Sequence, residues 1–234
     1  MAPSREGDWT PVSSAEAYAS VRRSLTGLLR QAPWASESSV PACPGWNVRA
    51  TVAHLVGICR GTEAKLGLPT AGAGDPPGAG FSERGLDSLL AEWERGGGRV
   101  VSALARPEHA HKGAVLVMDA FTHELDVRLA LGSPIPVGHP AFRGAFDVAI
   151  GGLTGSVMLL GLPSVRLETE AGSWIVGDGE PVAAVSGPPV DLYRSLTGRR
   201  TYQQISQLAW SVDPGPWLPA FRWGPFRPPD QPVE

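Results

Sequence analysis

Met118-Asp119-Ala120-Phe121-Thr122-His123-Glu124-Leu125-Asp126-Val127-Arg128-Leu129-Ala130-Leu131-Gly132 reads as the closing turns of a helix. Gly132 falls where a left-handed cap belongs, and Pro134 just beyond it prevents continuation. Within the stretch, Asp119 and His123 stand four residues apart. That spacing puts a carboxylate and an imidazole one turn apart on one helical face, so both reach a single point. By itself such a pair is more often a surface ion pair than a metal site.

A third residue upstream changes the reading. Asn47 is a suitable N-cap for a helix in which Val48, Val52, Leu55, Ile58 and Cys59 follow the 3.6-residue period. His54 lies on the side of Thr51 and Ile58, close to the apolar stripe, and so faces inward or toward a cavity. Alone it reads equally well as a hydrogen-bonded core histidine. With Asp119 and His123 it completes two imidazoles and one carboxylate, a donor set suited to zinc or iron that leaves a coordination position open.

The remaining pattern places these two helices in a bundle. Ser13-x-x-Glu16 reads as a capping box, opening a helix through Tyr18, Val21, Leu25 and Leu29 that is spent by Pro33. Ala32 to Gly45 is irregular, and Gly67 to Gly80 is a Pro/Gly/Ala linker. Leu86, Leu89, Leu90, Trp93, Val100 and Leu104 restore the helical period, with a kink or break expected at Gly96-Gly97-Gly98. His109 and His111 read as surface residues, and the fourth helix starts near Ala114. A fifth pattern, Phe142 to Leu160, ends at Gly161. Helices connected in this way suit an antiparallel bundle whose metal ligands project inward from facing helices.

After Pro163 the period changes to alternation. Val165, Leu167 and Thr169, then Ser173 to Val176, then Val182 to Val185, read as a small meander of strands. Pro189 opens a helix that Gly198 stops, and Thr201 can cap another running through Trp210. The fold class is therefore α+β, with a helical bundle over residues 1–162 and a small α+β domain over 163–234.

Composition narrows the function. The chain has 234 residues, 42% hydrophobic and 18% charged, which is enough to bury a core. A net charge of −3 and the absence of any basic run exclude a nucleic-acid binder that works by phosphate neutralisation. The only lysines are Lys65 and Lys112, and two cysteines, Cys43 and Cys59, cannot make a disulfide framework. No apolar run approaches membrane-spanning length and no secretory leader is evident, so the expected location is the cytoplasm. Phosphate loops, dinucleotide fingerprints and hydrolase elbows are missing from the sequence.

The segment Cys43-Pro44-Gly45-Trp46 with the following His54, and the Asp119-x3-His123-x2-Asp126 run closing at Gly132, resemble the metal-binding signature of the mycothiol-dependent maleylpyruvate isomerase family. Gly198-Arg199-Arg200 and Trp223-Gly224-Pro225-Phe226-Arg227 look similar to that family's C-terminal part. The resemblance implies a DinB-like four-helix bundle in which His54, Asp119 and His123 hold a divalent metal, with zinc the expected ion. It also implies mycothiol or a similar thiol as cosubstrate, and a small electrophile that is isomerised by reversible thiol addition or captured by S-transfer. Its expected partners are small molecules, with neither nucleic acid nor membrane, and the expected assembly is a monomer or homodimer.

One departure stands out. The family commonly has glutamate where this chain has Asp119, one methylene shorter. The family also receives its anionic substrate with an arginine of the C-terminal domain, for which Arg199, Arg200 and Arg222 are the candidates. Asp126 is suited either to orienting a ligand or to an intrahelical role, and Cys43 to packing. Two other readings of the same scaffold stay open: a non-catalytic binding or regulatory protein, and a specialised biosynthetic enzyme with a degenerate metal site.

Overall fold

The structure is a computed structural model that describes residues 11–69, 84–136 and 138–233, with residues 110 and 111 described by backbone alone. The first ten residues, most of the Gly67–Gly80 stretch and the His111 side chain thus lie outside the described residues. The chain divides into two compact units, residues 1–145 and 146–233.

The first unit is built on four helices: α1 Ser14–Gln31, α2 Val48–Lys65, α3 Leu86–Leu104 and α4 Ala114–Ala130. Their starts follow from local chemistry. Ser13 Oγ accepts the Glu16 N–H to open α1, and Asn47 Oδ1 accepts the Ala50 N–H to open α2. Helices α1 and α2 each pack against both α3 and α4, which makes a four-membered ring of helices. The core is apolar, with Val21, Leu25, Val52, Leu55, Leu89, Trp93 and Phe121 all essentially inaccessible.

Helix α3 corrects one expectation. It runs unbroken through Gly96-Gly97-Gly98. A Cβ on Gly97 would lie 2.4 Å from Arg22 Cδ, and one on Gly96 would lie 3.3 Å from Cys59 Sγ. Two of the glycines therefore let α1 and α2 approach α3 closely, and tertiary packing outweighs their low helix propensity of about 1 kcal/mol each.

Helix α4 is buried almost all round from Leu116 to Arg128. It carries Thr122, His123, Glu124, Asp126 and Arg128 into the interior, where each needs a partner. Its end is a Schellman closure: Gly132 has φ +59°, Ser133 N–H donates to the Arg128 carbonyl and Gly132 N–H to that of Leu129.

The second unit begins inside α5, Phe142–Leu159, somewhat before residue 162 where the sequence period changes. The physical reason is that α5 from Phe146 onward packs on the chain that follows it. Phe146 lies 4.5 Å from the Trp174 ring, and Trp174 Nε1 donates to Asp147. Gly152 lies flat against the Trp223 ring.

Four strands follow: β1 Val165–Thr169, β2 Gly172–Val176, β3 Ala183–Ser186 and β4 Ala209–Trp210. Their order, β2-β1-β3-β4, corrects the expected meander. Strands β1 and β2 form an antiparallel hairpin, but β3 lies on the other side of β1 and parallel to it. Gly177 and Gly179, at φ +95° and +81°, turn the chain past the start of β1. There Val182 N–H donates to the Ser164 carbonyl, and Ser164 Oγ donates to the carbonyl of Gly179.

Helix α6, Pro189–Leu196, ends before Gly198 at φ +70°. Thr201 caps α7 with a full capping box, but α7 covers only Tyr202–Ser206. The expected run to Trp210 fails because Ala209–Trp210 pairs with β3 instead. Among the described residues no helix is long and apolar enough to cross a membrane.

Candidate metal centre

His54 from the middle of α2 and Asp119 and His123 from α4 meet in the first unit. Antiparallel α2 and α4 make this possible, because the start of α2 then lies beside the end of α4. The Nε2 atom of His54 is 3.3 Å from Asp119 Oδ1, and that of His123 is 3.9 Å from the same oxygen. The two imidazole rings are 4.9 Å apart and nearly perpendicular. One ligand atom from each of the three residues lies within 4.8 Å of the others.

These residues fit a divalent ion. With metal–ligand bonds of roughly 2.1 Å, the ligand atoms of a tetrahedral site lie ~3.4 Å apart, close to the spacings seen. The second carboxylate oxygen, Asp119 Oδ2, is inaccessible and has no hydrogen-bond partner among the described residues. An orphaned buried oxygen is costly unless something positive completes it. The shorter aspartate side chain still reaches both histidines.

His123 is held from behind. Its Nδ1 lies 3.2 Å from Asp126 Oδ2, a fully buried carboxylate one turn further along α4. Donation of Nδ1–H to Asp126 leaves the Nε2 lone pair directed at the Asp119 side, the tautomer a metal requires. Cys43 adds to this arrangement, with Sγ 3.6 Å from Asp126 Oδ2 and 3.6 Å from His123 Nδ1. The indole of Trp46 forms a wall, 5.1 Å from the His54 ring and 5.8 Å from that of His123.

Sequence reasoning had named the three residues that converge, but it missed Trp46 as a wall and the placement of Cys43. Arg49, at the start of α2, pairs with Glu37 at 3.1 Å. The signal for both was their position in the Cys43-Pro44-Gly45-Trp46 turn, where Gly45 at φ +82° folds the chain back ahead of α2.

Residues 15–128 match the family model of the mycothiol maleylpyruvate isomerase N-terminal domain. Over this segment the chain is similar to that family. Two solved structures share the fold along nearly the whole chain. One is described as the crystal structure of the mycothiol-dependent maleylpyruvate isomerase, with a TM-score of 0.52 at 15% identity, covering 86% of this chain and 94% of that one. The other is a histidine-to-alanine mutant described under the same name, with a TM-score of 0.53 at 14% identity and the same coverage. No curated protein matches the chain.

The segment that matches this family model thus contains the helices that carry all three converging residues. The two motifs in the C-terminal unit that resemble this family also come together. Gly198 backs onto the Arg227 main chain, leaving only 2.9 Å for a Cβ, and Trp223 Nε1 donates to the Leu196 carbonyl. Arg199 sits 5.9 Å over the Phe226 ring, while Arg200 is paired with Asp191 at 2.6 Å.

Proposed function

We propose that the protein is a metal- and thiol-dependent enzyme that isomerises a small activated alkene or transfers a low-molecular-weight thiol, mycothiol or one like it, to a small electrophile. The observation that carries this reading is the convergence of His54, Asp119 and His123 with Asp119 Oδ2 left unpartnered. His54, Asp119 and His123 would be the ligands. A divalent ion, zinc best suiting two imidazoles and a carboxylate, supplies the Lewis acidity that keeps a ligating thiol ionised near neutral pH.

The chain's own residues set up the rest. Asp126 fixes the His123 tautomer, and the Trp46 ring shields the His54 and His123 edges on one side. The side chains of His54 and Asp119, 28% and 26% exposed, leave the other side partly open to reactants. Isomerisation then asks for no further co-reactant: the thiolate adds to one alkene carbon, the resulting single bond turns, and the same thiolate leaves. Arg199, Arg200 and Arg222 remain candidates for receiving an anionic substrate. The expected setting is the cytoplasm, with the protein a monomer or homodimer.

The test is elemental analysis of purified protein together with turnover of an activated alkene in the presence of a low-molecular-weight thiol. Near-stoichiometric metal and thiol-dependent turnover, both lost in His54→Ala and His123→Ala, support the reading. Metal-loaded protein that neither consumes thiol nor isomerises the alkene overturns it.

A further inference from the structure

The His123 ring has a second group of donors around it, on its Nδ1 side. There Cys43 Sγ, His123 Nδ1 and Asp126 Oδ2 form a triangle: the sulfur lies 3.6 Å from the nitrogen and 3.6 Å from the oxygen, which are 3.2 Å apart. Among the described residues two groups of three metal-ligating side chains converge, and this is the one that includes a thiol.

The chain builds this group from two rigid pieces. His123 and Asp126 stand three residues apart on α4 and so share a face. Cys43 is brought to them by a closed turn, in which Val40 N–H donates to the Trp46 carbonyl at 3.0 Å and Trp46 N–H to the Cys43 carbonyl at 2.9 Å. Pro44 and Gly45 of the same turn are exposed, so the thiol lies just beneath the protein surface.

Geometry and charge both suit a thiophilic divalent ion. With bonds of about 2.3 Å to sulfur and about 2.0–2.1 Å to nitrogen and oxygen, tetrahedral ligand atoms lie ~3.5 Å apart where sulfur is one of the pair and ~3.3 Å apart otherwise. The triangle matches on all three sides. A thiolate, a carboxylate and a neutral imidazole also cancel the charge of a divalent ion. Burial demands such a balance, because Cys43, His123 and Asp126 are only 9%, 7% and 1% exposed.

We propose that Cys43, His123 and Asp126 form a second metal site, selective for a thiophilic divalent ion. On binding, the Cys43 thiol gives its proton to solvent. The imidazole exchanges its Nδ1 proton for one on Nε2 and stays neutral. His123 then has no lone pair for His54 and Asp119 to share a metal with, which makes the two sites alternatives. Only this last clause rests on the metal-centre reading; the thiol site stands without it.

The experiment is titration of the reduced full chain with cadmium, a soft ion that favours thiolate, followed by ultraviolet difference spectra and calorimetry. A thiolate-to-cadmium absorption band is expected, saturating at one ion per chain, and it persists in His54→Ala and in Cys59→Ser. Cys43→Ser abolishes the band and Asp126→Asn lowers cadmium affinity at least tenfold, with circular dichroism spectra unchanged. Cadmium NMR of the wild type needs no variant: its resonance falls downfield, where a sulfur ligand places it. The proposal is overturned if that resonance lies in the range of nitrogen and oxygen ligands alone, if no band appears, or if the band survives in Cys43→Ser. Loss of the band in Cys59→Ser, or undiminished affinity in Asp126→Asn, overturns it as well. So does loss of the band in His54→Ala, which would make the thiol one more ligand of the His54, Asp119 and His123 set. The metal-centre reading fails separately, if Cys43→Ser takes up no zinc or takes up as much when His54→Ala is added.

Discussion

His123 Nδ1 lies 3.2 Å from the fully buried Oδ2 of Asp126, one helical turn away, so the helix that presents the imidazole also fixes which nitrogen carries its proton. Replacing Asp126 by Asn keeps the shape but removes the charge that selects this tautomer. The expected result is a metal affinity lower by about 10–100-fold, the usual effect of losing a carboxylate behind a ligating histidine. Competition with a chromogenic chelator measures it, and an unchanged affinity would show that His123 is oriented by other groups.

The glycine run in α3 separates close approach from mere tolerance. A Cβ on Gly97 meets Arg22 at 2.4 Å, whereas one on Gly98 meets only Arg22 Nη1, at 3.9 Å. Gly98→Ala should therefore stabilise by up to about 1 kcal/mol through helix propensity. Gly97→Ala should destabilise, by about 1–3 kcal/mol of overpacking. Urea unfolding of the two variants gives the sign directly; a stabilised Gly97→Ala would mean that Arg22 moves aside at no cost.

The C-terminal unit has a sharper case. A Cβ on Gly152 would sit 2.1 Å from the Trp223 ring, and Trp223 is tied down by its bond to the Leu196 carbonyl. A rigid indole cannot yield as an arginine stem can. Gly152→Ala should lower thermal stability more than Gly97→Ala does, and pairing it with Trp223→Leu should recover part of the loss in a double-mutant cycle.

Stability should fall in mild acid through His139. Burial, with help from the Arg128 guanidinium, pushes its pKa down to about 4. Its Nδ1 accepts the Ala141 N–H and its ring stacks on Phe121, so the folded state holds it neutral. The unfolded chain takes up a proton near its ordinary value of 6.5, so the folded state is favoured fully above that pH and loses ground as pH falls from 6.5 toward 4. The upper bound is about 3 kcal/mol. Glu124, whose pKa burial raises against the opposing hydrogen bonds of Ser24 and Arg128, acts in the opposite sense and reduces the net loss. Urea midpoints at pH 7.5 and 5 should differ less in His139→Gln than in the wild type.

Cys59 should be unreactive in the folded protein. Burial raises its thiol pKa to about 11, which leaves almost no thiolate at neutral pH. A disulfide reagent at pH 8 is expected to modify it only when urea is added, and rapid labelling of native protein, traced by peptide mapping, would count against this.

Where chemistry is local, the sequence was sufficient. Ser13, Asn47 and Thr201 cap helices because their side-chain oxygens reach backbone donors two or three residues on, and Gly132 closes α4 because only a residue tolerant of positive φ fits there. The four-residue spacing of Asp119 and His123 likewise fixed their common face before any fold was known. What depended on distant parts of the chain was not legible. The glycine run stays helical because Arg22 and Cys59 need the room, and β3 crosses to the far side of β1 because Ser164 anchors the turn before it. His54 reaches Asp119 across 65 residues, and Cys43 reaches Asp126 across 83, only through the antiparallel packing of α2 and α4. Backbone capping and side-chain period are set within a turn or two of chain, so sequence determines them. Which buried polar groups meet is set by how helices pack, and the tertiary structure alone decided that.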